Sequence, residues 1–224
     1  MSIPRNSASC VVLSAFALIL LGSGCSGPGY RRAEAKVESM KAVKESIDKG
    51  KAQIGVTLKS LDQIVASANS DPRPAFDQYV KDLKTLDSLA ADARDRATAL
   101  RARAEEHFSA WEKEKAGVKN PELARLSDER RAKAKEVYEG LQKESQAVKD
   151  LYALFSQDLH DIQTYLGSNL NAAGVAAGSN TFTKAKEDGA KVTQSLDGLN
   201  AKLTEIATEL SPVTAQPAPT PQAK

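Results

Sequence analysis

Apolar residues recur at alternating intervals of three and four positions along most of this chain, and this spacing constrains the fold more than any other feature. Such spacing places the apolar side chains on one face of an α-helix, where neighbouring helices can cover them. The clearest stretch runs without a miss through Phe182, Ala185, Gly189, Val192, Leu196, Leu199, Leu203, Ile206 and Leu210. The pattern predicts a long helix here that packs against other helices along its whole length.

Three earlier segments show the same spacing and are separated by residues that form turns. They predict helices over about 30–69, 73–116 and 121–167. Pro and Gly between these segments would end each helix. The stretch 167–180 is rich in Gly, Ser and Asn, so we expect it to bend or break the chain before the fourth helix.

The first three segments differ in how wide their apolar faces are. The second has alanine in the middle of its two rows, an alanine seam that lets a neighbouring helix approach closely. Its rows are Phe76, Leu83, Ala90, Ala97, Ala104 and Trp111, and beside them Tyr79, Leu86, Ala93, Leu100 and His107. The third has a face wide enough to contact more than one helix. For the first, the main row is Met40, Ile47, Ile54, Leu61 and Ala68, and the predicted companion row is Val37, Leu58 and Val65, interrupted by Lys44 and Lys51.

Helix length decides the predicted shape. A helix of about 45 residues is roughly 65 Å long, whereas a compact domain of about 200 residues is only about 45 Å across. The sequence therefore predicts an all-α fold, an elongated antiparallel bundle or coiled coil of about four long helices in a single domain over 30–210. Residues 211–224 contain four prolines and predict a disordered tail.

The first 24 residues have the pattern of a bacterial signal peptide. Arg5 precedes an apolar run over 11–21, and Gly and Ser follow that run at once. An apolar run of this length is too short to span a bilayer, which needs about 20 residues, but it fits the apolar region of an export signal. The chain is therefore predicted to be exported.

Cys25 is the predicted attachment point for lipid. Residues 21–25 are Leu-Gly-Ser-Gly-Cys and resemble the lipobox of bacterial lipoproteins, in which the Cys is acylated and becomes the new N-terminus. The family prefers Leu three residues before the Cys, whereas Leu21 stands four before it, and an ordinary signal peptidase would also accept Gly22 and Gly24. With Ser26 after the Cys, the resemblance implies the bacterial cell envelope, on the outer membrane facing the periplasm, with 25–29 as a short linker.

Three short runs resemble an uncharacterised bacterial family, called domain of unknown function 2959, whose members look like helical, envelope-directed proteins. The similarity covers about residues 30–210. Gly167-Ser168 stands where the family tends to carry Lys-His, so no role of those two family side chains is carried over. The runs are Phe108-Ser109-Ala110-Trp111, Asn120-Pro121-Glu122-Leu123 with Leu126-Ser127, and Asp161 to Ala172, with Asn169-Leu170-Asn171-Ala172 the most distinctive piece.

The sequence offers little material for catalysis. With 31 basic and 29 acidic residues the net charge is only +2, so no overall field would attract nucleic acid. Two His and two Cys give no metal-binding spacing, and no phosphate loop or nucleophile motif is present. We therefore expect no enzyme activity, cofactor or metal. Asn169 and Asn171 are candidate functional polar residues, although their residue type favours a role in turns and helix caps.

Two functions from different classes remain open. One is a structural or interaction scaffold that is held at a membrane by its N-terminal lipid and contacts an unknown envelope protein, peptidoglycan or further copies of itself. The other is a carrier of envelope lipid or another small ligand, which would use a groove between helices. The alanine seam of the second helix and the wide apolar face of the third motivate this alternative.

Overall fold

The computed structural model describes residues 28–210, with side-chain environments for 37–207. It contains four α-helices, so the all-α prediction is confirmed. The predicted signal peptide, Cys25 and the Pro-rich tail lie outside the described residues. None of the described helices is long and apolar enough to cross a membrane. The helices are α1 (Pro28–Ser67), α2 (Arg73–Lys115), α3 (Pro121–Asn169) and α4 (Ala172–Leu210).

The four helices form an antiparallel bundle around a shared apolar interior. Helix α1 packs against α2 and α4, and α3 packs against α4. Helices α2 and α3 are consecutive in the chain, yet over the described residues their backbones approach each other at far fewer positions. One side of the bundle is therefore more open than the other three. With 49 residues, α3 is about 73 Å long, which makes the bundle a rod.

Asn120 and Pro121 define the start of α3, as the sequence predicts. The Asn120 Oδ1 accepts hydrogen bonds from the backbone N–H groups of Glu122 at 2.9 Å and Leu123 at 3.2 Å. These are two of the donors that the first turn of a helix leaves without an intrahelical partner. Pro121 occupies the first helical position, where its missing N–H removes no hydrogen bond.

The core divides into two clusters along the rod. The first occupies the half of the rod that ends at the α1–α2 and α3–α4 turns. It includes Leu61, Tyr79, Phe155 and Leu166, each fully buried. The second lies towards the α2–α3 turn and is looser; its members Met40, Leu100 and Leu141 are each 6–8% exposed. From 101 to 140 every residue keeps part of its surface exposed to solvent. Packing therefore weakens from one end of the rod to the other.

The predicted companion row of α1 is wrong in part. Met40, Ile47, Ile54 and Leu61 are buried as expected, but Val65 is 45% exposed. Three other side chains face the interior instead, each three residues after a member of the main row: Val43 after Met40, Thr57 after Ile54 and Ile64 after Leu61. The Thr57 hydroxyl is satisfied within α1, because it donates to the Gln53 carbonyl at 2.9 Å. Because Thr57 is polar, the spacing of apolar residues in the sequence did not reveal this row.

The predicted break over 167–180 is also wrong in its extent. Helix α3 continues to Asn169 and α4 already begins at Ala172, so only Leu170 and Asn171 connect them. Val175 and Gly178 are buried and extend the apolar stripe of α4 towards its N-terminus. Because this stretch also contains several Ala, a strong helix former, packing and propensity outweigh the Gly, Ser and Asn residues.

Candidate functional site

The open side of the bundle, between α2 and α3, contains an apolar cavity of about 70 Å³. Met40 of α1 and Ile206 of α4 close its floor. Its walls from the two facing helices include Leu100, Ala104, Phe108, Ala134, Val137 and Tyr138. The small alanine side chains on both walls leave the space unfilled, since larger residues at the same positions would occupy it.

Aromatic and polar contacts close the cavity on the side of the α2–α3 turn. The rings of Phe108 and Tyr138 lie 5.6 Å apart, and those of His107 and Trp111 lie 5.4 Å apart. The Trp111 indole N–H donates to the Ser127 hydroxyl at 2.9 Å and joins the two helices. Burial raises the pKa of Tyr138 above its ordinary value. These groups can enclose an apolar ligand, but the cavity walls offer few polar atoms to orient one.

A second, more open groove of about 680 Å³ lies between α2 and α3 at the opposite end of the bundle. Phe76, Lys81, Gln163, Thr164 and Ser168 are among the residues that line it. Its lining mixes charged, polar and apolar groups on a wide surface. A shallow site of this kind suits a contact with another macromolecule better than enclosure of a small molecule.

Asn169 and Asn171 lie at the α3–α4 turn and both make local hydrogen bonds. The Asn169 amide donates to the Tyr165 carbonyl at 3.0 Å, and the Asn171 Oδ1 accepts from the Gly174 N–H at 3.0 Å, which caps α4. The Tyr165 hydroxyl donates to the Gly174 carbonyl at 3.0 Å. A Cβ at Gly174 would overlap the Asn169 carbonyl oxygen, so the turn also needs a glycine there. These bonds fit a capping role; a ligand-binding role for the two Asn stays a prediction.

A buried carboxylate in the first cluster was missed from the sequence. Asp82 is only 8% exposed and accepts hydrogen bonds from the Ser60 hydroxyl at 2.7 Å and the Gln78 amide at 2.8 Å. Its position three residues after Tyr79 and four before Leu86 places it on the apolar face of α2, and that spacing was the available signal. Its buried hydrogen bond with Ser60 ties α2 to α1.

Another polar link joins α3 to α2 across the open side of the bundle. The His160 Nε2 lies 3.2 Å from Asp87, and both side chains are more than 40% exposed. Within residues 37–207, no three His, Cys, Asp or Glu side chains cluster in a way that could hold a metal ion. The His160–Asp87 pair therefore connects two helices and belongs to no such cluster.

Comparison with known proteins finds a family model that matches most of the chain. No curated protein and no solved structure shows a significant similarity to the chain. The model of a family described as protein of unknown function (DUF2959) matches residues 25–207, which include all of α1, α2 and α3 and nearly all of α4. The match covers most of the chain, and the chain therefore belongs to the DUF2959 family.

Proposed function

We propose that this protein is a bacterial envelope lipoprotein whose helical rod acts as a structural or interaction scaffold. The observation that carries the proposal is the distance between the predicted anchor and the bundle: α1 begins at Pro28, three residues after Cys25. Three residues span at most about 10 Å. An acyl chain on Cys25 would therefore hold a rigid rod directly at the membrane surface.

The dimensions of the rod suit such a role. Helix α3 extends about 73 Å, so its far end would lie well beyond the lipid headgroups of the membrane that holds the anchor. The rod carries exposed apolar side chains that a partner could cover, including Leu154 at 67% and Val56 at 46% exposure. We propose an envelope protein, peptidoglycan or a second copy as that partner, and the outer membrane facing the periplasm as the location.

Labelling of growing cells with radioactive palmitate tests the anchor. The proposal expects label in the wild-type protein, none in a Cys25→Ala variant, and recovery of the wild type with the membrane fraction. Absence of label in the wild type, or equal label in the variant, would contradict it. Cross-linking in intact cells, followed by identification of the captured molecule, then tests the scaffold role.

The apolar cavity favours a second candidate function, a carrier of lipid or another small apolar ligand. Its volume of about 70 Å³ admits part of an alkyl chain, since an engineered apolar cavity of about 150 Å³ accommodates benzene. Native mass spectrometry of protein purified from cells would show a co-purifying lipid. The variant Ala134→Leu should abolish that lipid by filling the cavity, whereas Ala147→Leu on the exposed face of α3 should retain it. A wild-type protein without ligand would argue against this function.

A further inference from the structure

We propose that the α2–α3 turn is a membrane-contacting tip that rests on the same bilayer that would hold the anchor, and this inference depends on the proposed function. Three apolar side chains at or next to this turn are exposed, Val118 at 38%, Leu123 at 57% and Leu126 at 42%. Apolar side chains gathered at one end of a rod offer a surface that a lipid interface can cover.

The topology places this tip and the start of α1 at the same end of the rod. Arg103 of α2 donates a hydrogen bond to Ser39 of α1, which fixes the level of the two antiparallel helices. From that contact α2 continues 12 residues to Lys115, about 18 Å, and α1 extends back 11 residues to Pro28, about 17 Å. The predicted anchor at Cys25 is therefore tied to the end of the rod that carries the tip.

The rest of the described bundle does not cover the tip completely. Ile206 of α4 and Leu141 of α3 both line the apolar cavity, so they lie at about the same height along the rod. From there α4 runs only four more residues to Leu210, about 6 Å, whereas α3 extends back 20 residues to Pro121, about 30 Å. The hairpin of α2 and α3 thus projects beyond the described end of α4, and its apolar residues remain exposed.

The occupant of the tip follows from its position beside the predicted anchor. Lys119 is exposed and follows Val118 directly, but Lys115 pairs with Asp128 at 2.6 Å, and residues 112–129 contain four basic and five acidic side chains. The apolar side chains of Val118, Leu123 and Leu126, and no basic patch, would therefore make the contact. We identify the partner of the tip as the phospholipid bilayer surface that would hold the anchor.

Trp111 makes the proposal measurable, because it is the single tryptophan of the chain and lies four residues, about 6 Å, before the end of α2. The acylated protein is placed in vesicles of phosphatidylethanolamine and phosphatidylglycerol whose acyl chains carry bromine, a short-range quencher of tryptophan fluorescence. The proposal expects loss of Trp111 fluorescence relative to unbrominated vesicles. With the probe moved to the far end by Trp111→Phe and Tyr165→Trp, fluorescence should be unchanged.

Matched variants test whether the membrane contact depends on the apolar residues of the tip or on exposed apolar residues anywhere on the rod. Val118→Ser, Leu123→Gln and Leu126→Gln together should reduce the quenching of Trp111. The same kinds of substitution at comparably exposed sites on the rod, Val56→Ser, Leu151→Gln and Leu154→Gln, should leave it unchanged. Unquenched Trp111 in the acylated wild type, or equal quenching in both triple variants, would overturn the proposal.

Failure of the anchor is distinguishable from failure of the tip. If palmitate does not label the protein, the proposed function fails. The Cys25→Ser protein, mixed with the same vesicles, then still tests the tip by co-sedimentation. The tip proposal expects the unacylated chain to sediment with anionic vesicles more than its tip variant does. Equal sedimentation of the two would refute the tip.

Discussion

Gly189 lies where α4 meets both α1 and α3, and its replacement tests this packing. A Cβ at Gly189 would lie 2.8 Å from the Leu58 Cδ1 and 3.1 Å from the Phe155 Cε2, both closer than ordinary contact. A Cβ at Gly198, nine residues along the same helix, would have no neighbour within 4 Å. Substitution of each glycine by leucine therefore compares a crowded site with an open one.

The expected energies follow from two opposing effects. Leucine in place of an interior helical glycine stabilises the helix by up to about 1 kcal/mol at either site. At residue 189 the leucine must also displace Leu58 and the Phe155 ring, and such overpacking costs about 1–3 kcal/mol. We therefore expect Gly189→Leu to be less stable than Gly198→Leu by about 1–3 kcal/mol, which is roughly 2–12 °C in Tm for a chain of this size.

Urea and thermal unfolding followed by circular dichroism at 222 nm measure the two variants against the wild type. Gly198→Leu should unfold at or above the wild-type midpoint, and Gly189→Leu below the midpoint of Gly198→Leu. Equal midpoints for the two variants would refute the close approach of α4 to its neighbours at Gly189.

Three further predictions concern single side chains of the bundle. Asn120→Ala should lower the free energy of unfolding by about 1 kcal/mol through loss of the α3 cap, measured by urea unfolding, with Asn180→Ala on the exposed surface of α4 as the neutral control. Phe155→Ala should cost about 3–5 kcal/mol, because Phe155 is fully buried, and an unchanged unfolding midpoint would contradict its place in the core. Burial raises the pKa of Tyr152 to about 12. Its neutral form is therefore favoured on folding, and its contribution to stability is complete below pH 10 and lost as pH rises from 10 to about 12. Unfolding free energies across this range should fall less steeply in Tyr152→Phe, and identical pH profiles would contradict the prediction.

The apolar rows of α2 illustrate what periodicity predicts well. Tyr79, Leu83, Leu86 and Leu100 stand in the two predicted rows and are all buried. Both rows consist of apolar residues, apart from His107, so the helical repeat is visible in the sequence. In α1 the same procedure selected Val65, which is exposed, because Thr57 and Gly50 interrupt the row that faces the interior. Periodicity identifies the correct face only where the buried residues are apolar.

Local composition misled the prediction at the start of α4 for a related reason. Gly174 and Gly178 suggested a loop, but both sit at close contacts: a Cβ at Gly178 would lie within 3 Å of the Phe182 ring. A glycine that makes room for packing and one that breaks a helix cannot be told apart from sequence alone. The cavity between α2 and α3 depends likewise on how far apart two helices lie. The sequence predicted the alanine seam of α2 but not the volume enclosed there.

A distance between the two ends of α3 tests the elongated bundle most directly. Spin labels at Lys119→Cys and Ser168→Cys, in a mature chain that carries Cys25→Ser, occupy exposed positions near the two ends. Electron–electron double resonance should give a distance of about 70 Å, the length of the intervening helix. A dominant distance below about 45 Å, the diameter of a compact domain of this size, would contradict the rod and with it the placement of tip and anchor at one end.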